Sequence, residues 1–182
     1  MGPMKTQPTP GSVAPVLFQI LDGLWFLEVE KEVGFEKALD IDRAVWEVYS
    51  RKEAERLMTA RRLTPGEGTI SMLQELLPAS MFNQTLEHKC ALAEDGQSLI
   101  FYITECKTLA GLERVGRPSE QIYRICKEIG LAFFASFAHA VNPSIQVECH
   151  FCPSMPAEEK CDDEELEAQG GLCGWKFFIA PP

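Results

Sequence analysis

Three cysteines in the last third of the chain have the residue type and spacing that metal ligation requires. Cys149 and Cys152 are separated by two residues, and Cys173 follows further along. A two-residue gap lets a tight turn aim both sulfurs at one tetrahedral ion, and distant cysteines complete the ligand set. The pattern predicts a metal site at these three residues. Zinc is the expected ion, and an iron–sulfur cluster is the alternative cofactor.

The fourth ligand stays open between Cys126 and Cys106. Cys126 falls on the apolar stripe of a predicted long helix, and Cys106 ends a predicted strand. Each could therefore reach the site or pack as a small hydrophobic residue. Cys161 is a weaker candidate because it lies in an acidic segment. His150 is not expected to be a ligand, since a residue next to Cys149 in a strand points to the opposite face.

The coordination number decides what such a site can do. Four thiolates make a closed, structural site, whereas three thiolates and an open position would let zinc activate water to hydrolyse a carbon–nitrogen bond. Dithiol redox chemistry is disfavoured because Pro153 and Pro156 follow the cysteine pair where a helix would have to begin. A nucleophilic cysteine would need a base, which only His88, His139 or His150 could supply.

The composition limits the compartment and the partners. The 182 residues are 46% apolar, which is enough for one domain with an ordinary core. With 17 basic and 27 acidic side chains the net charge is −10, which argues against nucleic-acid and membrane partners. The N-terminal segment lacks the apolar run of a secretion signal, and no window is apolar for long enough to span a bilayer. We therefore expect a cytoplasmic protein whose seven cysteines stay reduced or bind metal.

The elements that must position the cysteines are those of an α+β fold. We expect N-terminal helices packed on a small antiparallel sheet, with one long helix inserted between strand pairs. Residues 1–14 are expected to form a disordered leader and residues 15–182 a single domain, helical over 15–78. The first helix should bury one apolar face. The residues of that face are Leu17, Ile20, Leu21, Leu24 and Leu27. Trp25 and Trp46 are expected in the core.

The second helix should run from Phe35 to about Arg62 and a short third one from Ile70 to Leu77. The sheet and the long helix occupy residues 79–182. Residues 84–92 and 98–106 read as a β-hairpin around a Glu-Asp-Gly turn, and the second strand is apolar on both faces, which predicts a central position. The long helix begins with Ser119 as its cap and ends before Asn142-Pro143. Residues 145–149 and 175–179 are the remaining strands.

An acidic insertion separates the last two strands. Residues 157–167 hold seven acidic side chains and one lysine, within a predicted loop over 157–170. Consecutive acids without glycine seldom form a cation site, so a solvated loop is the favoured interpretation. A second hypothesis is that the loop docks on a basic partner protein.

Several motifs resemble an uncharacterised prokaryotic domain family, from about Gln19 onward. The opening motifs are Asp22-Gly23-Leu24-Trp25-Phe26, Gly34-Phe35-Glu36-Lys37-Ala38-Leu39 and Val45-Trp46-Glu47. The later ones are Cys106 after a strand, Cys126-Lys127-x-Ile129-Gly130, Cys149-x-x-Cys152-Pro153 and Cys173-x-Trp175-x-Phe177. That family is distantly similar to the 2-aminothiazoline-4-carboxylate hydrolases, and its cysteine-rich end resembles the 4-vinyl reductase domains. The first similarity implies hydrolytic ring opening or amidine hydrolysis, and the second implies ligand binding without turnover.

Two functions follow and stay open. The first is a zinc-binding cysteine-cluster protein that hydrolyses a carbon–nitrogen bond of a small molecule. The second is a non-catalytic sensor or binding module, in which the helices and sheet enclose an apolar ligand and the cysteines hold a structural metal or an iron–sulfur cluster.

Overall fold

The computed structural model describes residues 10–160 and 171–179 of the chain. Much of the expected leader and most of the acidic loop, including Cys161, therefore lie outside the described residues. The helices are α1 Pro10–Val33, α2 Phe35–Ala60, α3 Ile70–Leu76, α4 Lys107–Arg114, α5 Ser119–Arg124 and α6 Gly130–Val141. The strands are β1 Leu86–Leu92, β2 Ser98–Cys106, β3 Ile145–Phe151 and β4 Cys173–Ile179. The predicted α+β architecture is confirmed, although α1 begins inside the segment expected to be a leader.

The strands form one antiparallel sheet in the order β1-β2-β4-β3. The predicted central position of β2 is confirmed, because β1 and β4 flank it. Leu99 and Phe101 of β2 are completely buried, and Tyr102 on the other face is nearly so. Apolar residues on both faces of a strand thus correspond to a strand that is covered on both sides.

The predicted long helix lies between the two strand pairs and has three parts. These are α5, a π-helical turn Ile125–Ile129, and α6. The prediction that Ser119 caps it was wrong: Pro118 holds the cap position, and Ser119 is the first helical residue. A proline is preset near the φ of −57° found there, so the chain enters the helix without a side-chain cap. The π-helical turn was not predicted.

The core lies between α6, α2 and one face of the sheet. Phe133, Phe134 and Phe137 of α6 are buried, and the ring of Phe134 packs at 4.9 Å from that of Trp175 on β4. On the other side, Phe133 packs edge-on at 5.6 Å from Trp46 of α2. Aromatic side chains bury large apolar areas, and these contacts join the helices to the sheet.

The predicted buried face of α1 was wrong. Four of the five residues are exposed, from 51% for Ile20 to 67% for Leu21, and the fifth, Leu27, is half-buried. Trp25 is also 37% exposed. The helix instead buries Phe26 and half-buries Phe18, which stacks at 5.2 Å on Tyr49 of α2. Because α1 is apolar on several sides, periodicity alone does not select the face, and burial of the aromatic side chains decides it. No helix within the described ranges has the length and apolar character required to cross a bilayer.

Gly130 is the first residue of α6 and contacts the sheet. A substitution that adds a side chain at Gly130 therefore tests this packing. A Cβ at this position would lie 2.6 Å from Cζ2 of the fully buried Trp175. We expect Gly130→Ala to lower the free energy of unfolding by about 1–3 kcal/mol, because the ring has no space to move aside. Chemical denaturation measures the change.

Gly111 of α4 provides the matched control. A Cβ there meets no atom within 4 Å, so Gly111→Ala should leave the free energy of unfolding unchanged or raise it by up to about 1 kcal/mol through helix propensity. Equal stabilities of the two variants would contradict the packing described for Gly130.

Candidate ligand cavity and cysteine cluster

A cavity of about 460 Å³ opens between α1 and α4. Its wall is mainly apolar and includes Ile20, Leu27 and Leu112. Gly23 of α1 and Gly111 of α4 also line it, and neither would meet a neighbouring atom within 4 Å if it carried a Cβ. The volume and the apolar lining are those of a small-molecule site. We refer to this space as the outer cavity.

A second space of about 90 Å³ lies between the long helix and the sheet. Its lining includes the thiols of Cys106, Cys126 and Cys173. We refer to it as the inner cavity. Four residues line both spaces, which therefore adjoin one another. They are Asp22, Asp42, Thr108 and Ile125.

Two aspartates stand where the cavities meet. Asp22 comes from α1 and Asp42 from α2, and the two helices are joined at Gly34, whose φ of 80° permits the abrupt corner. Asp42 is only 4% exposed, and its Oδ1 has no hydrogen-bond partner among the described residues. Trp46, one helical turn along α2, hydrogen-bonds to both carboxylates. We refer to Asp22 and Asp42 as the carboxylate pair.

Burial changes the protonation of this pair. Desolvation raises the pKa of Asp22 to about 6, against the opposing hydrogen bond from Trp46. Desolvation and the charge of Asp22 raise the pKa of Asp42 to about 7, again against the hydrogen bond from Trp46. The charged forms are disfavoured because water is excluded and no basic side chain in the described part of the chain compensates them. At neutral pH the pair thus holds a negative charge at an energetic cost.

Basic residues line the outer cavity but are engaged elsewhere or exposed. Nη2 of Arg117 lies 2.5 Å from Oε2 of Glu30, and its guanidinium lies 5.5 Å from the centre of the Phe26 ring. Lys107 and Arg114 of α4 are exposed. Arg117 therefore forms part of the wall through its ion pair and its ring contact, and it does not neutralise the carboxylate pair.

The five cysteines considered as ligands come from separate elements. Cys106 ends β2, where its sulfur accepts a hydrogen bond of 3.4 Å from the Leu109 amide, and Cys126 lies in the π-helical turn. Cys149 lies beside an irregularity in the pairing of β3 with β4. Cys152 follows β3 in a turn, and Cys173 begins β4. π-helical turns and irregular strand pairs are frequent at functional sites.

These thiols are close enough to influence one another electrostatically. Cys126 interacts with Cys106, Cys152 and Cys173, while Cys149 interacts with Cys152 and Cys173. Even so, no group of three or more His, Cys, Asp or Glu side chains within residues 10–160 and 171–179 is arranged to hold a metal ion. The structure brings the thiols into one neighbourhood, and their role as ligands stays a prediction. We refer to the five as the cysteine cluster.

The thiols of the cluster differ in acidity. A hydrogen bond from Cys149 lowers the pKa of Cys152 and raises that of Cys149, and the positive charge of Lys127 lowers the pKa of both. Burial raises the pKa of the three thiols that line the inner cavity. Cys152 is therefore the most acidic thiol of the cluster, whereas the cavity is lined by neutral ones.

The first residues of the acidic insertion contact the long helix beside the cluster. Glu159 bonds to both Lys127 and Tyr123, and Lys127 Nζ lies 2.6 Å from Tyr123 Oη. The ammonium thus holds the pKa of Glu159 below its ordinary value. His150, which was not expected to be a ligand, is buried with Nε2 3.7 Å from Oε2 of Glu148.

The carboxylate pair was missed by sequence reasoning. Asp22 was considered only as the first residue of a motif that resembles a family, and Asp42 was not considered. The available signals were an acid within the apolar run of α1 and the spacing of four between Asp42 and Trp46 on α2. Neither shows that the two helices bring the acids together.

The fold and the site define a class of small α+β proteins with an open apolar cavity that adjoins a carboxylate pair and a group of thiols. The chain belongs to a family of unknown function, DUF6125, which matches residues 16–179. The expected membership in an uncharacterised family is thereby confirmed. No match is found among curated proteins. Nothing in the family match links the chain to the aminothiazoline-carboxylate hydrolases or to the 4-vinyl reductase domains, so those similarities stay predictions.

The raised pKa of Asp42 predicts a pH-dependent stability. Because its pKa of about 7 in the folded state exceeds the ordinary 3.8, the folded protein binds more protons than the unfolded chain between about pH 4 and pH 7. Stability should therefore fall as the pH rises through that window. Asp42→Asn should reduce this fall and raise the free energy of unfolding by about 1–3 kcal/mol near pH 8. Urea denaturation across the pH range measures both effects.

Asp40→Asn is the matched control, since Asp40 lies on the same helix but is exposed, with Oδ1 3.3 Å from Nη2 of Arg43. This variant should keep the wild-type dependence on pH. An Asp42→Asn protein that is less stable than the wild type near pH 8 would show that the buried carboxylate is satisfied in the folded state.

Proposed function

We propose that this protein binds a small molecule with an apolar body in the outer cavity. This function is the non-catalytic binding module that the sequence left open. The observation that carries the proposal is that an apolar space is lined by the buried carboxylate of Asp42, whose Oδ1 has no hydrogen-bond partner within residues 10–160 and 171–179. The apolar wall of this space of about 460 Å³ is left in contact with water, which is unfavourable. A buried charge without a partner adds a further cost. A ligand that fills the space and reaches the carboxylate offsets both costs.

The position of the cavity supports the proposal. Its walls come from α1, α4 and the residues between α4 and the long helix, and α4 is a short helix that Cys106 caps. Gly23 and Gly111 leave room where a side chain would reduce the space. The thiols of the inner cavity lie beyond the carboxylate pair, so a ligand that entered from the outside would reach the acids first.

Filling the outer cavity should abolish ligand binding without damaging the fold. We expect Gly111→Leu to weaken binding of Nile red, a neutral fluorescent apolar dye, by about tenfold or more, equal to about 1.4 kcal/mol. The Cβ at this position meets no atom within 4 Å, and leucine favours the helix more than glycine does, so the melting temperature should not fall. Fluorescence titration and thermal denaturation measure the two effects.

Ala44→Leu is the matched control, because Ala44 is exposed on α2 and does not line the cavity. It should bind the dye as the wild type does. Unchanged binding by Gly111→Leu would place the dye on another apolar surface, such as the exposed face of α1, and would contradict the proposal.

A second proposal concerns the cysteine cluster, which we infer to be a zinc site. It is supported by the electrostatic interactions among the thiols of the cluster and by the lowered pKa of Cys152, to which the charge of Lys127 contributes. Thiolate-rich sites favour zinc, and an iron–sulfur cluster is the alternative. Binding would require the thiols to move into a common first coordination sphere. A catalytic form of this proposal, hydrolysis of a carbon–nitrogen bond, would need an open coordination position on the ion facing the inner cavity.

Serine substitutions test the zinc site. We expect Cys149→Ser and Cys173→Ser each to lower the metal content and the melting temperature together, because a metal bound by the folded state stabilises it. Elemental analysis of protein purified without oxygen measures the first effect, and an absorption spectrum separates zinc from an iron–sulfur cluster.

Cys90→Ser is the matched control. Cys90 is a half-buried thiol on β1, and its pKa is raised by burial and not by any thiol of the cluster. It should keep the metal of the wild type. Less than about 0.2 metal ions per wild-type chain would contradict the proposal.

A further inference from the structure

We propose that the ligand of the outer cavity carries a cationic nitrogen group, which binds against Asp22 and Asp42. This inference rests on the proposed ligand-binding function and names the chemical class of the ligand. The ligand is an organic cation with an apolar body: the body contacts the cavity wall, and the N–H groups donate to the carboxylates.

Asp42 has a buried carboxylate oxygen that can accept a hydrogen bond from a ligand. It is 4% exposed and lines both cavities, and its Oδ1 has no hydrogen-bond partner among the described residues. A buried carboxylate oxygen normally accepts hydrogen bonds from protein groups or water. Trp46 donates to the pair but leaves this oxygen unpartnered. The cavity is thus the direction from which a donor can arrive.

The charged groups around the carboxylate pair favour a cationic ligand. From α1 and α2, the acids that line the cavity are Asp22 and Asp42 themselves. From α4, Lys107 and Arg114 are exposed, and beyond it Arg117 is paired with Glu30. From the sheet and the long helix, Cys106, Cys126 and Cys173 line the inner cavity, and they add no basic group beside the pair. The charge at the inner end of the outer cavity is therefore negative.

Ligands of other classes fit this site less well. An anion would meet two carboxylates in a medium where like charges repel strongly. A neutral molecule would fill the space but would leave the buried negative charge without compensation. A bare metal ion lacks a third acidic, histidine or cysteine ligand in the described part of the chain. An organic cation supplies both the apolar body and the missing donors, and charge-assisted hydrogen bonds are the stronger kind.

The experiment compares two probes of the same shape. Benzylamine is protonated at neutral pH, and benzyl alcohol is its neutral counterpart. Isothermal titration near pH 8 should show benzylamine binding about tenfold more tightly than benzyl alcohol. The preference should weaken as the pH falls toward 5, because protonation of the two aspartates removes the charge that the ammonium group contacts.

Substitutions of the two aspartates test whether the carboxylate pair causes the preference for benzylamine. Asp42→Asn and Asp22→Asn should each reduce the affinity for benzylamine about tenfold and leave that for benzyl alcohol unchanged. Asp40→Asn should keep the wild-type preference, since Asp40 is exposed and outside the cavity. Gly111→Leu should abolish the binding of both probes.

The outcomes separate this inference from the proposed function. Equal affinities for the two probes, or a preference that survives both Asn substitutions, would overturn the cation inference while Nile red binding still supported the cavity as a ligand site. Binding of benzyl alcohol alone would overturn the inference in the same way. Failure of both probes, together with dye binding that Gly111→Leu does not change, would overturn the proposed function itself.

Discussion

The close packing of the long helix against the sheet requires a residue without a side chain at position 130. Gly130 lies against the ring of Trp175, and even one methyl group there would be 2.6 Å from a ring carbon. This contact determines how near α6 comes to β4. Cys126 lies one turn before Gly130 and Cys173 two residues before Trp175, so the same contact brings those thiols to a common space. The inner cavity is what remains between helix and sheet on that side.

The corner at Gly34 has the equivalent role for the outer cavity. It folds α1 back along α2, and the rings of Phe18, Tyr49 and Trp46 then pack between the two helices. That packing brings Asp22 and Asp42 close enough to interact with one another and with Trp46. The cost of their proximity is electrostatic, since both acids lose water and repel each other. Aromatic burial along the helices offsets it, as stable folds commonly tolerate a destabilised site where a ligand binds.

The elements of the fold could be predicted in large part from local patterns. The turn around Gly96, the two apolar faces of β2 and the stop at Asn142-Pro143 each describe a short stretch of chain, and each was interpreted correctly. The predictions were wrong where the structure of a segment depends on contacts with another element. The face of α1 that is buried depends on Trp46 and Tyr49 of another helix, and α4, which Cys106 caps, had no strong signal of its own.

The sequence by itself determined the order and type of the main elements and singled out cysteines whose spacing suits metal ligation, because residue spacing reports local geometry directly. Only the tertiary structure decided which polar groups meet. Asp22 and Asp42 come together because two helices pack antiparallel, and the thiols become neighbours because a helix and three strands converge at one end of the sheet. Such contacts join residues far apart in the chain and depend on how side chains fill the space between elements, which spacing along the chain does not record.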